Sequence, residues 1–125
     1  MIDIISRGGD YQCCFAAKEN IVIDTTQDKG GTGVGVRPHQ LLEAALAACM
    51  NIALRMKAKE YGIELKKVTT SVSLNRDIAG KSIFEYQYNI CDELPENVKN
   101  IITDIVKHCA VRKTLSKQIE FKEIQ

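Results

Sequence analysis

Five cysteines and two histidines are the residues of this 125-residue chain best suited to redox or metal chemistry. Cys13, Cys14, Cys49, Cys91 and Cys109 are odd in number and irregularly spaced, unlike the even frameworks of small secreted disulfide proteins. In a reducing compartment they are free thiols, and a buried cysteine ordinarily serves as a small hydrophobe. Position, not presence, must therefore single out a reactive one. Cys13 and Cys14 are adjacent in an expected strand, so their side chains point to opposite faces. Cys91 stands at a strand end without a basic neighbour in sequence. These three read as structural. His39, Cys49, His108 and Cys109 offer the donor types zinc prefers, but their spacings match no common zinc pattern, and no metal is expected. As residues at helix ends the histidines face solvent, and His108 would complement a helix C-terminus. The glycine-rich GGTGVG lacks the Gly-Lys-Ser/Thr ending and the strand-to-helix G-x-G-x-x-G that hold phosphates. No cofactor is expected.

Strands and helices must bring any reacting pair together. MIDIIS and YQCCFAA read as strands flanking a turn at Arg7–Asp10, and NIVIDTT as a third after Lys18-Glu19-Asn20. The four glycines of QDKGGTGVGVR, residues 27–37, predict a mobile surface loop without regular structure. Pro38 then opens a long helix that ends at Gly62. Its front half is apolar almost all round and carries Ala44, Ala45, Ala47 and Ala48, while Arg55, Lys57, Lys59 and Glu60 charge its back half. Val68, Thr70, Val72 and Leu74 alternate with polar residues, a turn follows at 78–81, and Phe84, Tyr86, Tyr88 and Ile90 line one face of the returning strand. A second, shorter helix begins near Pro95, with Val98, Ile101, Ile102, Ile105, Val106 and Cys109 recurring at spacings of three and four. KQIEFKEI alternates again and predicts a closing strand. This order predicts a single α+β domain over residues 1–125, with antiparallel sheets, a long central helix and a second shorter one. A helix with so few polar positions is hard to cover in a small chain, so a homodimer is expected.

The balance of 17 basic and 16 acidic residues leaves a net charge of +1, which gives no electrostatic footprint for nucleic acid or an anionic membrane. The longest apolar run, Leu41 to Leu54, is interrupted by Glu43 and Asn51 and is shorter than the ~20 residues of a membrane span. The first residues show no basic leader followed by an apolar stretch, so a cytoplasmic location is expected.

The stretch RPHQLLEAALAACMNIALRMKAKEYGIELKKVTTSVSL, followed by NIITDIVKHCAVRKTLSKQIEF, resembles the OsmC/Ohr family of osmotically inducible and organic hydroperoxide resistance proteins. A proline-led helix with an alanine-rich run ending in cysteine precedes a glycine and a strand. A second helix then delivers another cysteine before a Val-x-x-Thr-Leu stretch. The resemblance spans nearly the whole chain and implies an intertwined homodimer that reduces organic hydroperoxides. Cys49 would be the peroxidatic residue, Cys109 the resolving one, and an external dithiol the reductant. It further implies a cation beside Cys49, supplied in the family by an arginine of the amino-terminal sheet held by a glutamate on the long helix. Arg7 and Arg37 both qualify. His39 stands where the glutamate is expected and, protonated, could itself stabilise a thiolate, while Ala110 follows Cys109 where proline is common. Leu41, Leu42, Leu46, Ile52 and Met56, with Tyr86 and Tyr88, are candidates for an apolar substrate pocket. The resemblance also accommodates a noncatalytic redox sensor or small-ligand binder.

Overall fold

A computed structural model describes residues 4–6, 12–15, 21–66 and 68–125. They form an α+β architecture with two antiparallel sheets. The chain divides into two compact units, Met1–Leu42 and Glu43–Gln125.

In the first unit β1 (Ile4–Ser6), β2 (Cys13–Phe15) and β3 (Ile21–Ile23) form a sheet in that order, with Cys14 opposite both Ile5 and Val22. The three expected strands are present. Arg7 and the expected turns at 7–10 and 18–20 lie outside the described residues. Beyond β3 the chain makes a single 3-10 turn at Gln27–Lys29 and returns, so that Val36 pairs in parallel with Ile23. The Asp24 N–H donates to Val36 O at 2.9 Å, and the Val36 N–H to Val22 O at 3.0 Å.

The expectation of a loose glycine-rich loop is corrected by what holds it. Asp24 is buried, with 3% exposure, and its carboxylate accepts the Thr25 N–H (2.7 Å), the Thr32 N–H (3.0 Å) and the Thr32 hydroxyl. A buried carboxylate must be satisfied by such donors, and the loop wraps around it to supply them. Gly35 permits the close approach: its φ is +88°, and a Cβ there would stand 2.7 Å from Val22 O.

The Thr32 hydroxyl, and after it the Thr32 N–H, hold the Asp24 carboxyl below its ordinary value of 3.8. A carboxylate depressed in the folded state stabilises it above the unfolded value, and that stabilisation is lost as pH falls below 3.8 through the folded value. Asp24→Asn is therefore expected to expose the Thr25 and Thr32 amides to hydrogen exchange already at neutral pH. In the wild type their protection, corrected for intrinsic rates, should fall only in acid. Equal protection in the two proteins at neutral pH would contradict the central role of Asp24.

The second unit is built on α1 (Pro38–Glu60) from Glu43 onward. At its start Gln40 accepts the Arg37 N–H on Oε1 at 2.8 Å, half of a capping box. At its end the Gly62 N–H bonds Lys59 O and the Ile63 N–H bonds Ala58 O, both at 3.0 Å, with Gly62 at φ +73°. This Schellman closure needs the left-handed residue that glycine supplies.

From Glu43 onward the faces of α1 have separate tasks. Leu46, Met50, Leu54 and Ala58, four residues apart, are all buried. Glu43, Ala47 and Asn51 form an adjoining polar seam to β4 (Val68–Asn75). Glu43 Oε2 accepts the Leu74 N–H at 2.8 Å, Ala47 O accepts the Thr70 hydroxyl at 2.7 Å, and Asn51 Nδ2 donates to Val68 O at 3.2 Å. Ala45, Ala48, Ile52 and Met56 remain exposed.

β5 (Ile83–Ile90) pairs antiparallel with β4, placing Val72 opposite Tyr86 and Leu74 opposite Phe84, as the alternation of two predicts. α2 (Glu96–Asp104) leads into a 3-10 turn at Ile105–His108, and α3 (Ala110–Leu115) follows. Ile102, Val106 and Cys109 join the buried stripe of α1 in one core with Leu65 and Ile90.

Two expectations need correction here. The second helix tightens and stops just before Cys109, which stands buried at its end and is extended (φ −68°, ψ 151°) at the start of α3. Ile101 is 43% exposed and lies off the core face. The expected closing strand is also absent, since residues 117–125 hold no regular structure and Phe121 is 96% exposed. Alternation alone forms no strand without a sheet edge to bond.

Leu54 is 0% exposed, so Leu54→Ala should cost about 2–5 kcal/mol in urea unfolding, while Asn51→Ala, which removes one bond to Val68 and an exposed one from Arg55, should cost about 1 kcal/mol. A Leu54→Ala cost below that of Asn51→Ala would contradict this division of the helix.

Candidate active site

Cys49 sits on α1 between the buried stripe and the exposed face, and is half-buried. Cys109 reaches it from the other direction because the chain turns extended there, which aims the first residues of α3 back at α1. Cys109 is 2% exposed. Its thiol adjoins that of Cys49, and the Val111 N–H donates to Cys49 Sγ at 3.4 Å. Both are free thiols. Burial pushes the Cys109 thiol up, and the neighbouring Cys49 adds to that. The Arg112 N–H and the Arg112 charge pull the other way without reversing the shift. Cys109 is thus a protonated thiol at neutral pH.

The pair opens onto an apolar groove of about 390 Å³ walled by Ile52, Ala53, Met56 and Ile105. Charged side chains at its rim are matched. Lys57 pairs with Glu60 at 3.0 Å, which raises the Lys57 pKa through that hydrogen bond. His108 lies 3.7 Å from Asp104, one turn back along the chain. The groove therefore presents an uncharged wall to a sulfur that a backbone N–H already orients.

Of the residues singled out in the sequence, Cys49 and Cys109 are brought together. His39 is exposed on the first turn of α1, ten residues ahead of Cys49. Arg37 is exposed in the first unit, where its backbone caps the helix, and Arg7 lies outside the described residues. Cys13 and Cys14 lie in β2. Cys91 is exposed and accepts from Asn89 Nδ2 at 3.4 Å. Ile52 and Met56 line the groove, whereas Leu46 and Tyr86 line a different cavity. Glu43 is committed to the backbone of β4.

Two contributors escaped the sequence reading. The Val111 N–H carries no side-chain signal at all. Arg112 could have been noticed as a cation three residues after a candidate cysteine. Among the described residues no group of three or more His, Cys, Asp or Glu side chains could hold a metal ion, and no helix is long and apolar enough to cross a membrane.

Solved structures share this fold. A candidate osmotic-stress-induced and detoxification-response protein from Psychrobacter arcticus superposes with a TM-score of 0.76 at 22% identity, covering 90% of this chain and 85% of that one. An OsmC-like protein from Mycoplasma pneumoniae gives 0.68 at 20% identity, covering 92% and 85%. The organic hydroperoxide resistance protein OhrB of Bacillus subtilis gives 0.62 at 25% identity, covering 93% and 90%. Among curated proteins none matches the sequence. The model of the family described as OsmC-like protein matches residues 30–123, which hold Cys49, Cys109 and every element from α1 to α3, and the chain belongs to that family.

Proposed function

We propose that the protein reduces organic hydroperoxides with a dithiol pair, as part of a defence against oxidative stress. The observation that carries this reading is the adjacent pair of Cys49 and Cys109 lining one apolar groove. The Bacillus subtilis relative, an organic hydroperoxide resistance protein by name, points the same way.

In this reading the Cys49 thiolate attacks the distal oxygen of the hydroperoxide and the O–O bond breaks. The alkoxide leaves and takes up a proton as an alcohol, and Cys49 becomes a sulfenic acid. Cys109 then loses its proton and attacks that sulfur, expelling water and closing a disulfide. An external dithiol reduces the disulfide and restores both thiols. The half-buried Cys49 meets substrate, whereas Cys109, buried and protonated, is spared direct oxidation until the sulfenic acid forms. The cation that would favour the Cys49 thiolate is to be sought among Arg7, Arg37 and His39.

The active form is a homodimer. The exposed Ala45 and Ala48 on α1, with the exposed Phe121 and Ile124 of the final segment, are apolar surface of the kind a second copy covers. The disulfide chemistry is suited to the reducing cytoplasm, where a dithiol reductant is at hand.

Steady-state turnover tests the function. With a small dithiol present, the protein should consume many equivalents of cumene hydroperoxide, at a higher kcat/KM than for hydrogen peroxide, because the groove walls are apolar. Consumption of a single equivalent would replace the enzyme by a redox sensor, and a preference for hydrogen peroxide would remove the groove from substrate selection. In sedimentation equilibrium at micromolar concentration a dimer is expected; a stable folded monomer would overturn the assembly.

A further inference from the structure

A second cavity of about 340 Å³ lies in the carboxy-terminal unit and shares no lining residue with the cysteine groove. α1 contributes Leu46 and Met50, β5 contributes Phe84 and Tyr86, and α3 contributes Arg112 and Leu115. The walls are therefore largely apolar, and the polar side chains besides Tyr86 are Ser82, Ser116 and Arg112. Its Nη1 donates to the Tyr86 hydroxyl at 3.0 Å, and its guanidinium lies 5.4 Å from the centre of the Tyr86 ring. Tyr86 thus fixes the arginine at the cavity without neutralising it. Neither ion pair among the described residues involves Arg112.

A guanidinium carries five N–H donors in a planar fork. Among the described residues a single side-chain donor of Arg112 meets a hydroxyl, that of Tyr86, and the charge has no acidic partner. A half-buried cation of this kind is complemented by a planar anion that accepts two parallel N–H bonds, as a carboxylate does. The cavity is at the small end of the range for ligand pockets, and its apolar walls exclude a polyanion. We propose that this cavity binds a small amphiphilic carboxylate, its head group on the Arg112 fork and its hydrocarbon part against Leu46, Met50, Phe84 and Leu115. Neither cysteine lines the cavity, although the Arg112 charge also acts on Cys109.

Octanoate is a suitable probe, with 1-octanol as the matched neutral control, titrated calorimetrically into the reduced full-length protein. Octanoate should bind at least about tenfold more tightly than octanol, and Arg112→Gln should abolish that preference. Tyr86→Phe, which keeps the ring but releases the guanidinium, should weaken octanoate severalfold and leave octanol unchanged. Nuclear Overhauser contacts from the octanoate methyl to Leu115 and Met50 in the wild type locate the site without relying on any variant's stability. Equal affinity for the two probes, contacts to Ile52 and Met56 of the cysteine groove instead, or no octanoate binding up to about 5 mM would overturn the proposal. Peroxide turnover is read separately on the same preparations, so its failure leaves this result standing, and the reverse.

Discussion

Burial of the Leu46, Met50, Leu54 and Ala58 stripe of α1 against Ile102, Val106 and Cys109 is the constraint from which the site follows. Each fully buried aliphatic side chain contributes about 1.5–3 kcal/mol, so the rotation of α1 about its own axis is fixed by the core. Once the stripe faces inward, Cys49 can only sit at its edge, half in the core and half in the groove. The polar seam of Glu43, Ala47 and Asn51 to β4 fixes the same rotation from the other side. Two independent sets of interactions therefore aim one sulfur.

The second sulfur is placed by a break, not by a periodic element. α2 tightens into a 3-10 turn, Cys109 becomes extended, and α3 starts afresh. That break frees the backbone N–H groups of Val111 and Arg112 from helical bonding to Cys109's own preceding turn and directs them at the two thiols. Chemistry and fold meet here. The pair has unequal members, one buried and held protonated by burial, the other facing an apolar groove, and such asymmetry suits a sequence in which one thiol meets the substrate and the other waits.

Much of this was legible in the sequence, where local rules and tertiary packing agree. The alternation of 68–75 and 83–90 gave both strands and their shared face, and Pro38 and Gly62 bounded α1 because each end needs the conformation those residues favour. The readings failed where a contact distant in sequence decides the outcome. Glycines at 30, 31, 33 and 35 looked like slack, but the loop is organised by Asp24, whose demand for donors is invisible until its burial is known. The apolar spacing from Val98 to Cys109 suggested one helix, since periodicity does not register a 3-10 turn that keeps the same residues inward. The tail alternates like a strand, yet pairing needs an edge to receive it. Cys49 and Cys109 were identifiable together through the family resemblance, whereas the groove and the Arg112 cavity emerged only when the two faces of α1 were separated.

Oxidative cross-linking addresses the pairing of the two cysteines most directly. The reduced protein is treated with one equivalent of an organic hydroperoxide, its remaining thiols are alkylated, and the non-reduced digest is mapped by mass spectrometry. The account predicts a peptide pair linking Cys49 to Cys109, with Cys13, Cys14 and Cys91 alkylated, and a persistent sulfenic acid on Cys49 in Cys109→Ser. A Cys49 that stays fully alkylatable after excess oxidant would contradict it.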